Sequence, residues 1–171
     1  MKIGICGKMC SGKTTLANKI IDFNKNKKYV KDSFANKVYE IAYELFNMKE
    51  KDRYLLQQIG TNMRNIDNNV WINYIISKHK DTKNIIIDDV RYINELLELK
   101  KNGYFLIKLK ISSELQKKRI INLYKSNSKN HLDNINHSSE ISLDNTEDEM
   151  FNLIINIDKD DIDNIISTQL S

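Results

Sequence analysis

Residues 2–14 read KIGICGKMCSGKT. The last eight of them, Gly7-Lys8-Met9-Cys10-Ser11-Gly12-Lys13-Thr14, match G-x-x-x-x-G-K-[ST] without a mismatch. The spacing has a chemical reason. Glycines let the backbone curl so that successive N–H groups point inward at phosphate oxygens. Lys13 then reaches the β- and γ-phosphates of a nucleotide, and the Thr14 hydroxyl ligates Mg²⁺. Residues 2–6 predict a short buried strand. Residues 12–23, with Leu16, Ile20 and Ile21 on one face, predict a helix whose positive N-terminal end adds to the same anion site. Strand, loop and helix in this order are the setting the motif needs, and a chance match in a chain this long is on the order of one in a hundred. The expected ligands are ATP and Mg²⁺, held by residues 7–14 with Thr15 beside them.

Beyond the loop, a second strand is expected near 29–31, followed by helices over 37–46, 52–64 and 70–79. Val38, Ile41, Ala42 and Leu45 recur at helix spacing in the first of these, and the polar 65–69 connects the other two. Residues 84–88 (NIIID) give the clearest buried strand. A leucine-rich helix over 91–101 is stopped by Asn102-Gly103. A strand over 104–110 precedes a helix that Ser112 or Ser113 caps and that runs to about 124. Residues 126–136 are polar, lack periodicity and exceed an ordinary connection, which predicts a mobile lid over about 126–140. A last strand at 151–157 and a closing helix at 160–170 complete the pattern. Strands alternating with helices predict an α/β fold with a parallel sheet covered on both faces, in a single domain spanning 1–171.

The gross numbers restrict the function. A formal net charge of +4, with Lys and Arg spread along all 171 residues, does not indicate a nucleic-acid tail and fits an anionic small substrate equally well. The absence of proline and the abundance of Asn, Lys and Ile read as the imprint of an AT-rich genome. Cys6 and Cys10 have no second pair to complete a zinc site, and their place around the loop speaks for reduced thiols in a cytosol. No signal peptide is evident and no apolar run approaches the roughly 18 residues of a membrane span, so a soluble cytoplasmic protein is expected. Switch GTPases would show D-x-x-G and N-K-x-D, and neither occurs. The positions three before each glycine hold Met1, Gly4, Met9, Gln57 and Lys100, and Asn36-Lys37-Val38-Tyr39 lacks the Asp that would read guanine. No L-S-G-G-Q element suggests a transporter-type ATPase, and no G-x-S-x-G elbow suggests a hydrolase triad. A small-molecule kinase remains.

Asp88-Asp89-Val90-Arg91 lies at the C-terminal end of the best strand, where open α/β sheets place their ligands. A carboxylate there can hold Mg²⁺, and an Arg beside it can clamp a phosphate at two points. Four further stretches extend the pattern. They are Ser33-Phe34-Ala35-Asn36-Lys37; Gln57-Gln58-Ile59-Gly60-Thr61 with Arg64, Asp67 and Trp71-Ile72-Asn73; Asp89-Val90-Arg91-Tyr92-Ile93-Asn94-Glu95; and His137-Ser138-Ser139-Glu140. Taken in order, they resemble the deoxynucleoside monophosphate kinases of bacteriophages and related viruses, whose patterns are S-F-A-x-x-[LV]-K, Q-x-[LI]-G-T…R…D…W-[VI]-N, D-V-R-[FY]-x-N-E and H-x-S-E. Lys37 stands one residue early, and Ile93 replaces a usual proline. The resemblance implies a three-layer P-loop NTPase sandwich with a five-stranded parallel sheet in order 2-3-1-4-5. It implies transfer of the γ-phosphoryl of ATP to a deoxynucleoside 5′-monophosphate in a host cytoplasm, and it leaves a homodimer open. Dephospho-CoA kinases and some phosphomevalonate kinases share the architecture, so those acceptors stay open, as does a nucleotide-binding module without transfer.

Phosphoryl transfer needs in-line positioning and positive charge around three equatorial oxygens. Lys13, Asp89 and Arg91 are the expected catalytic residues, with Arg119, and Lys118 or Lys125, as lid cations. Thr14 and Asp89 are the expected Mg²⁺ ligands. Arg64 is the candidate for gripping the acceptor's phosphate, with Arg91, while Phe34 and Lys37 are candidates for touching the acceptor. Trp71 could stack on a base or pack in the core, and Glu140 could cap the lid or bind the sugar. His137 reads as structural or lid-forming, and Cys10 as passive packing. By the resemblance, Asn156 lies in a terminal loop near the adenine.

Overall fold

A computed structural model describes residues 1–133, 135 and 138–170. Five strands, β1 (Lys2–Gly7), β2 (Val30–Asp32), β3 (Ile85–Val90), β4 (Phe105–Lys110) and β5 (Leu153–Asn156), form one parallel sheet in the order β2-β3-β1-β4-β5. The helices are α1 (Lys13–Phe23), α2 (Phe34–Phe46), α3 (Arg53–Ile66), α4 (Val70–Lys78), α5 (Ile93–Lys101), α6 (Ser113–Tyr124), α7 (Ser128–Asp133), α8 (Ser138–Ile141) and α9 (Ile162–Gln169).

Strand alternation sorts the core into two layers. Ile3 and Ile5 of β1, Ile86 of β3 and Ile107 of β4 face Leu16, Ala17 and Ile20 of α1 and Ile166 of α9. Ile85 and Ile87 of β3 and Leu106 of β4 face the other way, onto Ala42 of α2, Ile59 of α3, Trp71, Ile72 and Ile75 of α4, and Leu96 and Leu99 of α5. These side chains are almost wholly buried. At roughly 1.5–3 kcal/mol for each fully buried large aliphatic, the two layers are the main favourable term in the fold. Among the described residues no helix is long and apolar enough to cross a membrane.

Near the ligand end of the sheet, Gly4 pairs with Ile87 but Cys6 pairs with Val90, so two steps of β1 oppose three of β3. Such a bulge re-aims side chains beside a site. Here it falls on Asp88 and Asp89.

Two elements depart from the sequence expectation. Helix α2 begins at Phe34, not 37, because the first helical N–H groups, of Phe34 and Ala35, donate to the Asp89 carboxylate at 2.9 and 3.0 Å. That partner is 55 residues away and invisible to local periodicity. The polar stretch after α6 is also helical. A single 3₁₀ turn (Lys125–Asn127) leads into α7, whose buried His131 stacks on Tyr124 and meets the Arg53 guanidinium at 3.1 Å. His137 lies outside the described residues.

Candidate active site

The loop between β1 and α1 curls as its glycines predict. Gly7 has φ 150°, and a Cβ there would come within 2.8 Å of Ser11 Oγ and 2.9 Å of the Leu109 carbonyl. Gly12, with φ 98°, turns the chain into α1. Ser11 Oγ is buried without a partner among the described residues. Lys13 is nearly buried, and its ammonium donates to the carbonyls of Gly7 (2.6 Å) and Lys8 (3.0 Å). Burial, and then the charge of Arg91, push its pKa down to about 8. A phosphate in the loop would offset both effects.

The Thr14 hydroxyl donates to Asp88 at 2.8 Å. The expected metal pair is Thr14 and Asp89, but it is Asp88, not Asp89, that lies beside Thr14. Asp88 shares the face of Ile86, toward α1, while Asp89 points to the α2 side and caps that helix. Burial pushes the Asp89 carboxyl up to about 7, Glu95 adds to the rise, and the two backbone N–H groups oppose it. Sequence reasoning named the Asp88-Asp89 pair but chose Asp89 over Asp88. Counting strand alternation back from Asp88 to Ile86 would have found it once α1 was placed over that face.

Three cavities meet at Arg91. A passage of about 390 Å³ at the mouth of the loop is lined by Lys13, Thr14, Asp88, Asp89 and Arg91, with Met9, Cys10 and Thr15. The structure therefore brings the expected catalytic trio Lys13, Asp89 and Arg91 together. On the α2–α3 side lies a cavity of about 240 Å³ lined by Phe34, Tyr39, Gln57, Thr61, Arg64, Asp89, Arg91 and Tyr92. Arg64 is aimed into it by three contacts: the Gly60 carbonyl (3.2 Å), the Glu95 carboxylate (3.2 Å) and the Tyr92 ring, 4.6 Å below its guanidinium. Glu95 accepts in addition from the N–H groups of Arg91 (2.8 Å) and Tyr92 (3.1 Å), which fixes the start of α5. The third cavity, of about 340 Å³, lies between β4 and residues 140–148 and includes Lys8, Arg91, Lys108, Lys110 and Glu140.

A fourth, more apolar cavity of about 510 Å³ opens on the other side of the loop, between Cys10, Ser11, Gly12, Thr15, Leu16, Arg119, Leu123, Ile157 and Ile162. Arg119 donates to the Cys10 carbonyl at 3.1 Å, and Gln116 of α6 donates to the Met9 carbonyl at 3.0 Å. Burial raises the pKa of Cys10, in keeping with a packing role for its thiol. Lys118 and Lys125 line none of these cavities.

Of the two readings of Trp71 the core one holds, and three other expected residues have partners of their own. Trp71 is buried in the core, and its indole N–H donates to the Gly60 carbonyl at 3.2 Å, so it offers no face to a base. Lys37 pairs with Glu40 at 2.8 Å and lies over the Tyr74 ring, away from the cavities. Asn156 turns its carbonyl oxygen Oδ1 onto the Asp158 N–H (3.1 Å) in its own loop, leaving the neighbouring Ile157 to line the apolar cavity. Glu140 reaches the phosphate loop, where it accepts from the Met9 N–H at 2.6 Å and pairs with Arg91.

The sequence matches the family described as AAA domain over residues 3–152. No curated protein matches it. Among solved structures, a candidate kinase from Chloroflexus aurantiacus superposes with a TM-score of 0.56 at 12% identity, covering 96% of this chain and 91% of its own. Dephospho-CoA kinase from Campylobacter jejuni superposes with a TM-score of 0.50 at 19% identity, covering 98% and 94%. At these identities the likeness is one of fold: a kinase-like P-loop fold.

Proposed function

That this chain belongs to the AAA domain family is the premise from which we propose that it transfers the γ-phosphoryl group of ATP to a small phosphorylated acceptor, a deoxynucleoside 5′-monophosphate. The observation that carries the reading is the placement of Arg91 and Arg64 in one cavity that shares Asp89 and Arg91 with the passage lined by Lys13. A protein that only bound or hydrolysed a nucleotide would have no use for a second phosphate grip on that side.

The loop suits a triphosphate because, among the described residues, Ser11 Oγ is a buried hydroxyl without a partner and the Lys13 ammonium is tied only to backbone carbonyls. Thr14 and Asp88 would hold Mg²⁺, which supplies charge neutralisation on the phosphate oxygens; two protein oxygens suffice because this ion keeps most of its waters and phosphate ligands. The apolar cavity beside Arg119 would take the adenine. An oxygen of the acceptor's phosphate, held by Arg64 and Arg91, attacks the γ-phosphorus. The bond to the β–γ bridging oxygen breaks, and ADP leaves with that oxygen. Lys13 follows the migrating charge, and the protein acts by position and electrostatics with little covalent chemistry.

One observation favours a second reading. Asp89, with a pKa near 7, lines the passage and would suit a hydroxyl acceptor that must lose a proton, as on a dephospho-CoA-like substrate. An ADP-release assay with ATP and Mg²⁺ against the four deoxynucleoside monophosphates, dephospho-CoA and no acceptor separates the two. Turnover confined to deoxynucleotides is expected. Turnover with dephospho-CoA alone would move the acceptor to the second reading, and none above the control would overturn both.

A further inference from the structure

Glu140 sits where the acceptor and donor halves of the site meet. Its side chain is 7% exposed, far less than an unengaged surface glutamate. One carboxylate oxygen accepts from the Arg91 guanidinium and the other from the Met9 N–H, so a single group ties the end of β3 to the phosphate loop. The other carboxylates near Arg91 are already committed. Both oxygens of Asp89 cap α2, and those of Glu95 hold Arg64 and the backbone of Arg91 and Tyr92. Among the described residues, Glu140 is therefore the only group that fixes the Arg91 guanidinium. Burial works against the Arg91 charge, and Glu140 is the first of the groups that more than offset it.

Glu140 is the first of three acidic residues four apart. Asp144 pairs with Lys8 at 2.9 Å, and Asp148 pairs with Lys110 at 2.6 Å and Lys108 at 3.4 Å. Residues 140–148 are thus fastened to the flank of the loop and to β4 by their own ion pairs. Glu140 is presented to Arg91 from a support outside the sheet.

The geometry points to Glu140 as a positioning residue: it holds Arg91 toward the acceptor and couples that arginine to the phosphate loop. This rests on the proposed transfer reaction for its kinetic consequence, but not for its structural one. Rigid placement of a phosphate-gripping arginine matters because small displacements in such a site cost orders of magnitude in rate.

The test uses the full chain and two readouts. In the first, phenylglyoxal modification is followed by peptide mass spectrometry in the protein without nucleotide, with Arg64 as internal reference. Modification of Arg91 is expected to accelerate about tenfold in Glu140→Gln, the scale on which a charge-assisted hydrogen bond holds its partner. Arg64 should be unchanged, which also reports that the variant is folded. In the second, Glu140→Gln is expected to lower kcat about a hundredfold and raise the acceptor KM with little change in the KM for ATP, and Glu140→Asp to recover part of the loss. Unchanged Arg91 reactivity overturns the inference even if the wild type turns over acceptor. Faster turnover in Glu140→Gln overturns it too, marking Glu140 as a plug in the anion site. Accelerated Arg91 modification in a protein that phosphorylates nothing sustains the positioning role and defeats the acceptor reading instead.

Discussion

Asp88 and Asp89 are adjacent yet serve different neighbours, because successive residues of a strand point to opposite faces. Asp88 meets Thr14 at 2.8 Å, and Asp89 caps α2. Their substitutions should therefore differ in kind. Asp88→Asn is expected to raise the Mg²⁺ concentration needed for half-maximal turnover, while Asp89→Asn leaves it near the wild-type value; a magnesium titration of both variants checks this. Asp89 also predicts a pH dependence. Its folded pKa, about 7, lies above the ordinary 3.8, so between these values the folded state holds a proton the unfolded state has lost. Stability contributed at this group falls as pH rises through that window. Denaturant titrations should show wild type losing stability relative to Asp89→Asn between about pH 4 and about pH 7, on top of a loss of about 1 kcal/mol in the variant, whose amide offers one acceptor oxygen to two N–H groups. A flat difference would contradict the assignment.

The elements show why some of the site was legible in the sequence and some was not. Residues 2–14 contain both the strand pattern and the loop chemistry, so β1, the loop and α1 could be read locally. The apolar run at Ile85–Val90 announced β3, and with it the site end of the sheet. Three things depended on partners far along the chain. The start of α2 needs Asp89. Helix α7 is polar and is held by Tyr124 and Arg53. Glu140 reaches the loop across 131 residues. Trp71 belongs here as well, since a lone aromatic at the start of an apolar helix favours the core without excluding a stacking platform. Its indole shares the Gly60 carbonyl with Arg64, so it supports the acceptor side from behind. Trp71→Phe should cost about 1 kcal/mol of stability, read from the denaturation midpoint, and leave the acceptor KM within about twofold. A large rise in KM with stability unchanged would restore the stacking role.

At the scale of the whole molecule, α3 and α7, far apart in sequence, are joined by Arg53 and His131. Burial, Arg53 and Lys51 hold the His131 pKa below its ordinary 6.5, so the docked arrangement prefers the neutral ring. As pH falls below 6.5 the undocked ring takes a proton first, and docking weakens. Protection factors in Ser128–Asp133, taken against the intrinsic exchange rate at each pH, should therefore fall below about pH 6 while those of β1 and β3 hold. Equal protection of α7 on both sides of that range would remove the Arg53–His131 contact as a fastening.

The central claim is that Lys13, Arg91 and Arg64 together move a phosphoryl group between two bound phosphates. Phosphorus NMR of ATP, Mg²⁺ and a deoxynucleoside monophosphate with the protein tests it most directly. Wild type should give a deoxynucleoside diphosphate signal growing in step with ADP, and Lys13→Ala should lose it by at least about a hundredfold in rate. Inorganic phosphate appearing in place of the diphosphate, or transfer undiminished in Lys13→Ala, would contradict it.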